Sequence, residues 1–150
     1  MDRLIGTNDA YTDEDAPSHT RLSPTAISDL MIVILQLLSP AGDSGQLNTE
    51  VVFPALQLLQ RAQPPRSMLQ DIQKAVFRLT KSSQWHVRDK AARTFSTLTP
   101  IEERIQAAVQ LLEETSDSQN ATHGALLCSI YLVYRQQATI RAEGRSSSYC

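Results

Sequence analysis

The sequence predicts an all-α fold, a HEAT- or armadillo-like α-solenoid segment of about six helices. First, glycine is rare, with 5 in 150 residues, whereas the good helix formers Leu, Ala, Gln and Arg are frequent. Second, apolar side chains recur at helical spacing, and no stretch shows the strict alternation of a strand. Third, the helical stretches fall into three pairs, 24–62, 66–98 and 100–140. Each pair spans roughly 33–41 residues, near the ~40-residue period of HEAT and armadillo repeats. A six-helix globular bundle is the alternative.

The two ends of the chain differ from the helical region in composition. Residues 1–22 carry five Asp or Glu and few apolar side chains, so they are predicted to form a disordered acidic N-terminal segment. Residues 23–141 are predicted to form the helical-repeat domain. The polar residues 142–150 are predicted to be a disordered tail.

Start and stop signals define the first pair of helices. Ser23-Pro24 places an N-cap serine before a proline at the first helical position, and the helix runs to Leu38. Thr49 is predicted to cap a second helix over 50–62, which Pro64-Pro65 ends.

The second pair has the clearest apolar spacing. The third helix is predicted from Arg66 to Lys81, and the fourth over 84–98 with Ser82 or Ser83 as its cap. The predicted buried positions are Leu69, Ile72, Val76, Leu79, Val87, Ala91, Phe95 and Leu98.

The third pair begins at Thr99–Glu102, which has the sequence of a capping box with proline at the first position. The fifth helix then reaches Glu114, and the sixth covers 120–140. One face of the fifth helix carries Ile101, Ile105, Ala108 and Leu112. The sixth helix is apolar on most sides over 125–133, so we expect it to be covered on most sides.

No combination of residues in the sequence favours catalysis. His19, His86 and His123 have no His, Cys or carboxylate at metal-ligand spacing. The paired glutamates are adjacent on helices and point apart, and no glycine-rich phosphate loop is present. Cys128 lies in an apolar run and is predicted to be a buried structural thiol. We therefore expect a non-enzymatic chain without a metal or cofactor.

The sequence also indicates a cytoplasmic location. Two cysteines in 150 residues do not suggest a disulfide framework. The most apolar segments, 30–35 and 125–134, are shorter than the ~20 residues that span a bilayer. Residues 1–19 are acidic and lack the apolar stretch of a signal peptide.

Positive charge is concentrated between Arg61 and Arg93. This stretch holds eight of the 14 Lys and Arg residues against Asp71 and Asp89, a local excess of six positive charges. Such a patch can bind nucleic-acid phosphates or an acidic protein surface. An ordinary solvated surface, with Asp89 and Arg93 paired four residues apart, explains it equally well. Aromatic residues are scarce here apart from Trp85, which argues against base stacking.

Two further motifs supply candidate contacts. Arg88 and Arg93 either bridge neighbouring repeats or contact a partner. Asn120 is predicted to cap the sixth helix, with His123 in its first turn and Gly124 permitting close packing. The candidate partner- or RNA-binding residues are Arg66, Lys74, Arg78, Lys81, Trp85, His86, Arg88, Lys90, Arg93, Asn120 and His123.

Four motifs follow one another in a specific order and spacing. They are VFPAL at 52–56, RAQPP at 61–65, WHVRDKAARTF at 85–95 and NATHGALL at 120–127. Together they resemble the thyroid adenoma-associated protein family over roughly residues 50–130. Fungal members of this family include the non-catalytic subunit of a tRNA 2′-O-ribose methyltransferase.

The resemblance implies a helical solenoid and an adaptor role. Its partner would be an FtsJ-like, S-adenosylmethionine-dependent methyltransferase, which holds the methyl donor and modifies a ribose 2′-hydroxyl in the tRNA anticodon loop. The basic stretch 61–93 would contact the methyltransferase or the tRNA. Family members are much longer, and the tail 143–150 does not match their pattern. A segment of a longer solenoid exposes apolar helix faces that neighbouring repeats normally cover.

Two other functions are consistent with the same residues. One is a generic HEAT-like protein-interaction module without an RNA role. The other is a small stand-alone helical enzyme, which the lack of a catalytic combination disfavours.

Overall fold

Six α-helices follow one another in the residues that the computed structural model describes, 22–39, 46–114, 116 and 118–147. They are α1 (Pro24–Leu38), α2 (Thr49–Arg61), α3 (Arg66–Leu79), α4 (Trp85–Leu98), α5 (Arg104–Glu113) and α6 (Gln119–Ser147), with a 3₁₀ turn at Ile101–Glu103 before α5. No strand occurs in these ranges, and the all-α prediction is confirmed. The predicted disordered segment 1–22 lies outside the described residues except for Leu22.

The first two helices begin with side-chain caps. The Ala26 N–H donates to Ser23 Oγ at 3.2 Å, as the sequence predicts for α1. For α2 the predicted cap, Thr49, is wrong by one residue, because the Glu50 N–H donates to Asn48 Oδ1 at 3.1 Å. Asparagine is at least as favourable an N-cap as threonine, so the adjacent residue takes the role.

The predicted capping box at Thr99–Glu102 does not form. Thr99 Oγ1 donates to the Phe95 carbonyl at 2.8 Å, so this hydroxyl closes the end of α4. Pro100 precedes the 3₁₀ turn without a side-chain cap, and the regular α-helix begins only at Arg104. The threonine hydroxyl therefore satisfies a C-terminal carbonyl of one helix instead of an N-terminal amide of the next.

The helices stack as three consecutive pairs, α1 with α2, α3 with α4, and α5 with α6. The second helices, α2, α4 and α6, pack in order and form one layer, and α1 packs against α3 in the other. A cavity of about 300 Å³ lies between α3 and α5. Stacking of each pair on the next is the arrangement of an α-solenoid, so the predicted class is confirmed.

Two groups of buried side chains form the core and meet at Phe95. The first group comes from α1 to α4 and includes Met31, Ile34, Leu56, Leu59, Ile72, Val76 and Val87. The second comes from α4 to α6 and consists of Ala92, Ala108, Leu111, Cys128 and Leu132. Phe95 packs on both groups, and its ring centroid lies 5.4 Å from that of Phe77. The stack is therefore continuous from α1 to α6.

The last helix is longer than the sequence predicted. It runs to Ser147, whereas the predicted end was near Ile140. The predicted disordered tail is therefore wrong for residues 142–147, and 148–150 lie outside the described residues. The reason is local composition, since Arg141–Glu143 are good helix formers and no proline follows them.

The third pair leaves an apolar surface uncovered. The buried residues of α6 are Gly124, Cys128, Ser129 and Leu132. By contrast, its exposed large side chains include Leu126, Ile130, Val133 and Tyr134, so the expectation of near-complete coverage is wrong. Of the predicted face of the fifth helix, Ala108 is buried and Ile101, Ile105 and Leu112 are exposed. This surface lies at one end of the stack, where a solenoid segment exposes what a further repeat would cover.

Candidate partner-binding surfaces

Arg88 is buried on α4 and closes the turn between α3 and α4. Its side chain is among the buried residues, at 8% exposure. Arg88 Nη1 donates to the Ser82 carbonyl at 2.7 Å and to the Ser83 carbonyl at 3.0 Å. These carbonyls follow the end of α3, where helical geometry leaves them without partners.

The same guanidinium also joins the second helix pair to the third. Arg88 Nη1 donates to Asn120 Oδ1 at 3.1 Å, and Arg88 Nε donates to His123 Nδ1 at 3.0 Å. The interpretation of Arg88 as a bridge between repeats is therefore the correct one. The predicted capping role of Asn120 is wrong, since Asn120 lies within α6 and the Ala121 N–H donates to Ser118 Oγ at 3.4 Å. Arg88 and Asn120 are engaged inside the protein, which removes them from the candidate contact surface.

Arg93 belongs to a second polar group, together with Asp89 and Tyr131. The predicted pair is confirmed, because Arg93 Nε lies 3.0 Å from Asp89 Oδ2. The Arg93 guanidinium stands over the Tyr131 ring, 4.6 Å from its centroid, and the Tyr131 hydroxyl donates to Asp89 Oδ1. The hydrogen bond that Arg93 donates to Asp89 raises the pKa of Arg93. Burial, and then the hydrogen bond to the same carboxylate, raise the pKa of Tyr131. Both side chains therefore keep their protonated forms at neutral pH.

A cavity of about 380 Å³ opens beside this group on the outer side of the α2, α4 and α6 layer. We call it the arginine–tyrosine cavity, and its lining consists of Gln60, Arg93, Ser96, Tyr131, Tyr134, Arg135 and Ala138. Gln60 is fixed by a 3.0 Å hydrogen bond from Nε2 to Thr94 Oγ1, and Arg135 Nε donates to Ser96 Oγ at 3.0 Å. Three consecutive pairs thus each contribute one helix to a single concavity.

Three of the remaining candidates, Arg66, Lys74 and Arg78, are exposed on α3, and Lys81 is exposed in the turn that follows it. Lys74 and Arg78 lie four residues apart on one side of the helix, and together with Lys81 we call them the α3 basic row. The Lys81 ammonium lies 5.1 Å from the Phe77 ring centroid. Arg66 is exposed at the first turn of the same helix.

The other candidates lie near the start of α4 and α6. Trp85 is 54% exposed, and its ring centroid is 4.1 Å from that of His86. Lys90 is half-buried, and His123 is exposed apart from the bond that it accepts from Arg88. The eleven candidates therefore do not form one site. Nine of them separate into an internal bridge, an exposed basic row, an aromatic pair and one wall of a cavity, and Arg66 and Lys90 belong to none of these groups.

Sequence reasoning missed Tyr131, Tyr134 and Arg135, which line the arginine–tyrosine cavity. The available signal was their spacing, since Tyr131 and Arg135 lie four residues apart on one side of α6. Their meeting with Arg93, about forty residues earlier in the chain, depends on helix packing and cannot be read from local spacing.

A second concavity lies on the apolar surface of the third pair. It measures about 520 Å³ and is lined by Leu112, Leu126, Ser129, Ile130, Val133, Tyr134 and Gln137. We call this the α5–α6 apolar surface. A contiguous exposed apolar area of this kind is typical of a protein-interaction surface.

Cys128 is the buried thiol that the sequence predicted. Loss of hydration disfavours the thiolate, and burial raises the thiol pKa to about 12. We expect N-ethylmaleimide at pH 8 to label Cys128 on the order of a hundredfold more slowly in the folded chain than in urea. A Cys150→Ser variant makes Cys128 the only thiol in the sequence, so the labelling rate reports on it directly.

The raised pKa of Cys128 also predicts how the free energy of unfolding changes with pH. Between about 8.5, the pKa of an exposed thiol, and about 12, the unfolded chain loses a proton that the folded chain retains. The free energy of unfolding should therefore fall as pH rises through this window. Labelling of the native chain at the unfolded rate would contradict the buried position of Cys128.

In the part of the chain that the structure describes, no three His, Cys, Asp or Glu residues are grouped as metal ligands. None of the described helices is both long and apolar enough to cross a membrane.

Comparison with protein families matches residues 1–132 to the family described as Trm732, C-terminal TPR repeats. The match covers most of the chain and agrees with the resemblance to a tRNA methyltransferase subunit that the four motifs carry. The description specifies TPR repeats, and the pair lengths of roughly 33–41 residues span both the 34-residue TPR period and the ~40-residue HEAT period. Neither the curated proteins nor the solved structures gave a match.

Proposed function

Because the chain belongs to the family of Trm732 C-terminal TPR repeats, a repeat module related to tRNA modification, we propose that it is a non-catalytic adaptor segment. In this role it supports 2′-O-ribose methylation in the tRNA anticodon loop by a partner FtsJ-like methyltransferase. The family match over residues 1–132 is the observation that carries the proposal. The expected cytoplasmic location is part of the same proposal.

In this proposal the methyltransferase carries out the chemistry, and this chain provides the binding surfaces. Stacked helix pairs offer extended surfaces whose shape is fixed by a continuous core. Two such surfaces support an adaptor role here, the α3 basic row and the α5–α6 apolar surface. We propose that the first approaches the acidic surface of the methyltransferase or the tRNA phosphates, with Arg66, Trp85 and His86 beside it.

A generic protein-interaction module without an RNA role is the second candidate. The α5–α6 apolar surface favours it, since Leu112 is 60% exposed and Ile130 is 48% exposed. Apolar surface of this kind binds protein without any need for nucleic acid.

Co-purification with the methyltransferase separates the two candidates. The full chain, carrying an affinity tag, is co-expressed with the FtsJ-like enzyme, and the eluate is analysed by size-exclusion chromatography. We then measure 2′-O-methylation of a tRNA transcript with S-adenosylmethionine, using enzyme with the chain, enzyme without it, and the chain without enzyme.

The adaptor function predicts co-elution and at least a tenfold faster methylation when the chain is present, about 1.4 kcal/mol of barrier. A folded, soluble chain that neither co-elutes nor accelerates methylation would leave the generic module as the better description. Methyl transfer by the chain without the enzyme would refute the non-catalytic assignment.

A further inference from the structure

The arginine–tyrosine cavity carries positive charge that the protein leaves uncompensated. Asp89 pairs with Arg93, but Arg135 has no salt-bridge partner among the described residues. Arg135 Nε donates to Ser96, whereas its two terminal amino groups make no hydrogen bond within the described part of the chain. Those amino groups are therefore available to a ligand at the cavity wall.

A second guanidinium reinforces this charge. Arg104 Nη1 donates to the Arg135 carbonyl at 3.4 Å and to Thr139 Oγ1 at 3.1 Å, which holds Arg104 beside Arg135. Partial burial, and then the nearby charge of Arg104, lower the pKa of Arg135. An anion bound to Arg135 would offset this repulsion between the two positive charges.

Aromatic rings stand beside these donors. Tyr134 lines the cavity and is 65% exposed, so most of its ring surface is open to solvent. Tyr131 is already covered by the Arg93 guanidinium. The sequence stretch 61–93 holds only Trp85 and the partly buried Phe77, and the fold supplies further rings from α6.

We propose that the arginine–tyrosine cavity binds single-stranded RNA, with Arg135 donating to a phosphate and Tyr134 stacking on the adjacent unpaired base. This inference rests on the proposed function and deepens it by locating the RNA contact. Arginine forms two parallel hydrogen bonds to a phosphate, and single-stranded RNA is recognised by stacking bases on aromatic and guanidinium planes. The volume of about 380 Å³ lies in the range of small-ligand sites and suits one nucleotide.

The observations favour RNA over an acidic protein segment. A carboxylate would also satisfy Arg135, but it would not stack on the Tyr134 ring, which is 65% exposed at the cavity. They also favour this cavity over the α3 basic row, where Lys81 already lies over Phe77, a ring that is partly buried in the core.

The test uses the full chain and a fluorescein-labelled RNA hairpin with the sequence of a tRNA anticodon stem and loop. Binding is followed by fluorescence anisotropy over a series of salt concentrations. The variants are Arg135→Gln and Tyr134→Ala in the cavity. Arg141→Gln on the exposed end of α6 is the matched control, because it removes one positive charge outside both proposed surfaces, and Arg78→Gln tests the α3 basic row as the competing RNA contact.

The two cavity variants have different expected signatures. Arg135→Gln should weaken binding by about tenfold and reduce the slope of log K against log salt by about 0.7, the value for one lost phosphate contact on a single strand. Tyr134→Ala should weaken binding by about tenfold with an unchanged slope, because stacking releases no counterions. The Arg141→Gln control should stay within about twofold of the unchanged chain.

Several results would overturn the proposal. They are absence of RNA binding by the unchanged chain, equal weakening by all three arginine variants, and weakening by Arg78→Gln without an effect of Arg135→Gln. Binding of labelled oligoglutamate in place of RNA, with the same dependence on Arg135, would identify the site as one for carboxylates. Because Tyr134 is exposed, replacing it by alanine should leave the fold intact. Thermal unfolding followed by circular dichroism verifies that each variant is folded.

The outcome is separable from that of the proposed function. Co-elution with the methyltransferase is measured for the same variants. If the variants still co-elute with the methyltransferase and replacing Arg135 or Tyr134 does not change RNA binding, the proposed RNA site is wrong and the adaptor role stands. If the unchanged chain fails to bind the methyltransferase but binds RNA through the cavity, the adaptor role fails and the site stands.

Discussion

Replacing Arg88 by alanine is expected to lower the free energy of unfolding by about 3 kcal/mol. The guanidinium donates four hydrogen bonds, two to carbonyls of the α3–α4 turn and two to side chains of α6. Hydrogen bonds from a charged donor are individually worth about 1.5–3 kcal/mol, and their loss leaves partly buried acceptors without donors. Relief of the buried charge offsets part of that loss, so the net effect is smaller than the sum.

Urea unfolding followed by circular dichroism measures this effect. Arg88→Lys should recover less than half of it, because one ammonium cannot reach the carbonyls of the α3–α4 turn and the side chains of α6 at the same time. Arg78→Ala removes the same side chain from an exposed position and should change stability by no more than about 0.5 kcal/mol. An unchanged urea midpoint for Arg88→Ala would show that the four bonds do not stabilise the fold.

A double-mutant cycle tests whether Arg88 joins the repeats or merely closes its own turn. His123→Ala removes the acceptor on α6, and Arg88→Ala removes the donor on α4. Residues in direct contact couple by about 0.5–3 kcal/mol, whereas independent residues add. Coupling in this range would show that the second and third helix pairs unfold together through this network.

The parts of the fold that depend on local spacing were predictable from the sequence. Ser23-Pro24 fixed the start of α1, and the apolar spacing of α3 and α4 identified their buried positions, including Ile72, Val76 and Val87. Such signals act within one or two turns of a helix, where side-chain direction follows from residue number.

The errors arose where one residue had a choice of partners or where coverage depended on another element. Thr99 could bond forward to the next helix or back to α4, and its sequence context favours both. The apolar side chains of α6 predicted burial, but Ile130 and Val133 have no covering helix in the described part of the chain.

The candidate sites also divide into those predictable from local spacing and those that depend on how the helices pack. The Asp89–Arg93 pair was predictable because four residues separate its members on one helix. The arginine–tyrosine cavity was not, since it joins Gln60, Arg93 and Arg135 from three helices. Charge density along the sequence pointed to α3, whereas the uncompensated charge lies on α6, in a region of the sequence with few basic residues.

Gly124→Ala is expected to destabilise the chain by about 2 kcal/mol, whereas Gly144→Ala in the same helix should stabilise it by up to about 1 kcal/mol. A Cβ at position 124 would lie 1.9 Å from the Thr80 carbonyl oxygen and 2.8 Å from its carbon. These are backbone atoms of a buried residue at the end of α3, so α6 itself must move away. At position 144 a Cβ meets nothing within 4 Å, and the gain in helix propensity is unopposed.

Both substitutions add one methyl group to α6. If one stabilises the chain and the other destabilises it, packing against α3 explains the difference. The expected order of urea midpoints is Gly144→Ala above the unchanged chain and Gly124→Ala below it; stabilisation by both would rule out the close approach of α6 to Thr80. Displacement of α6 would also carry Tyr134 and Arg135 away from Arg93, since those residues share the helix with Gly124. Gly124→Ala should therefore weaken binding of the RNA hairpin under conditions where it is still folded, while Gly144→Ala should leave binding unchanged.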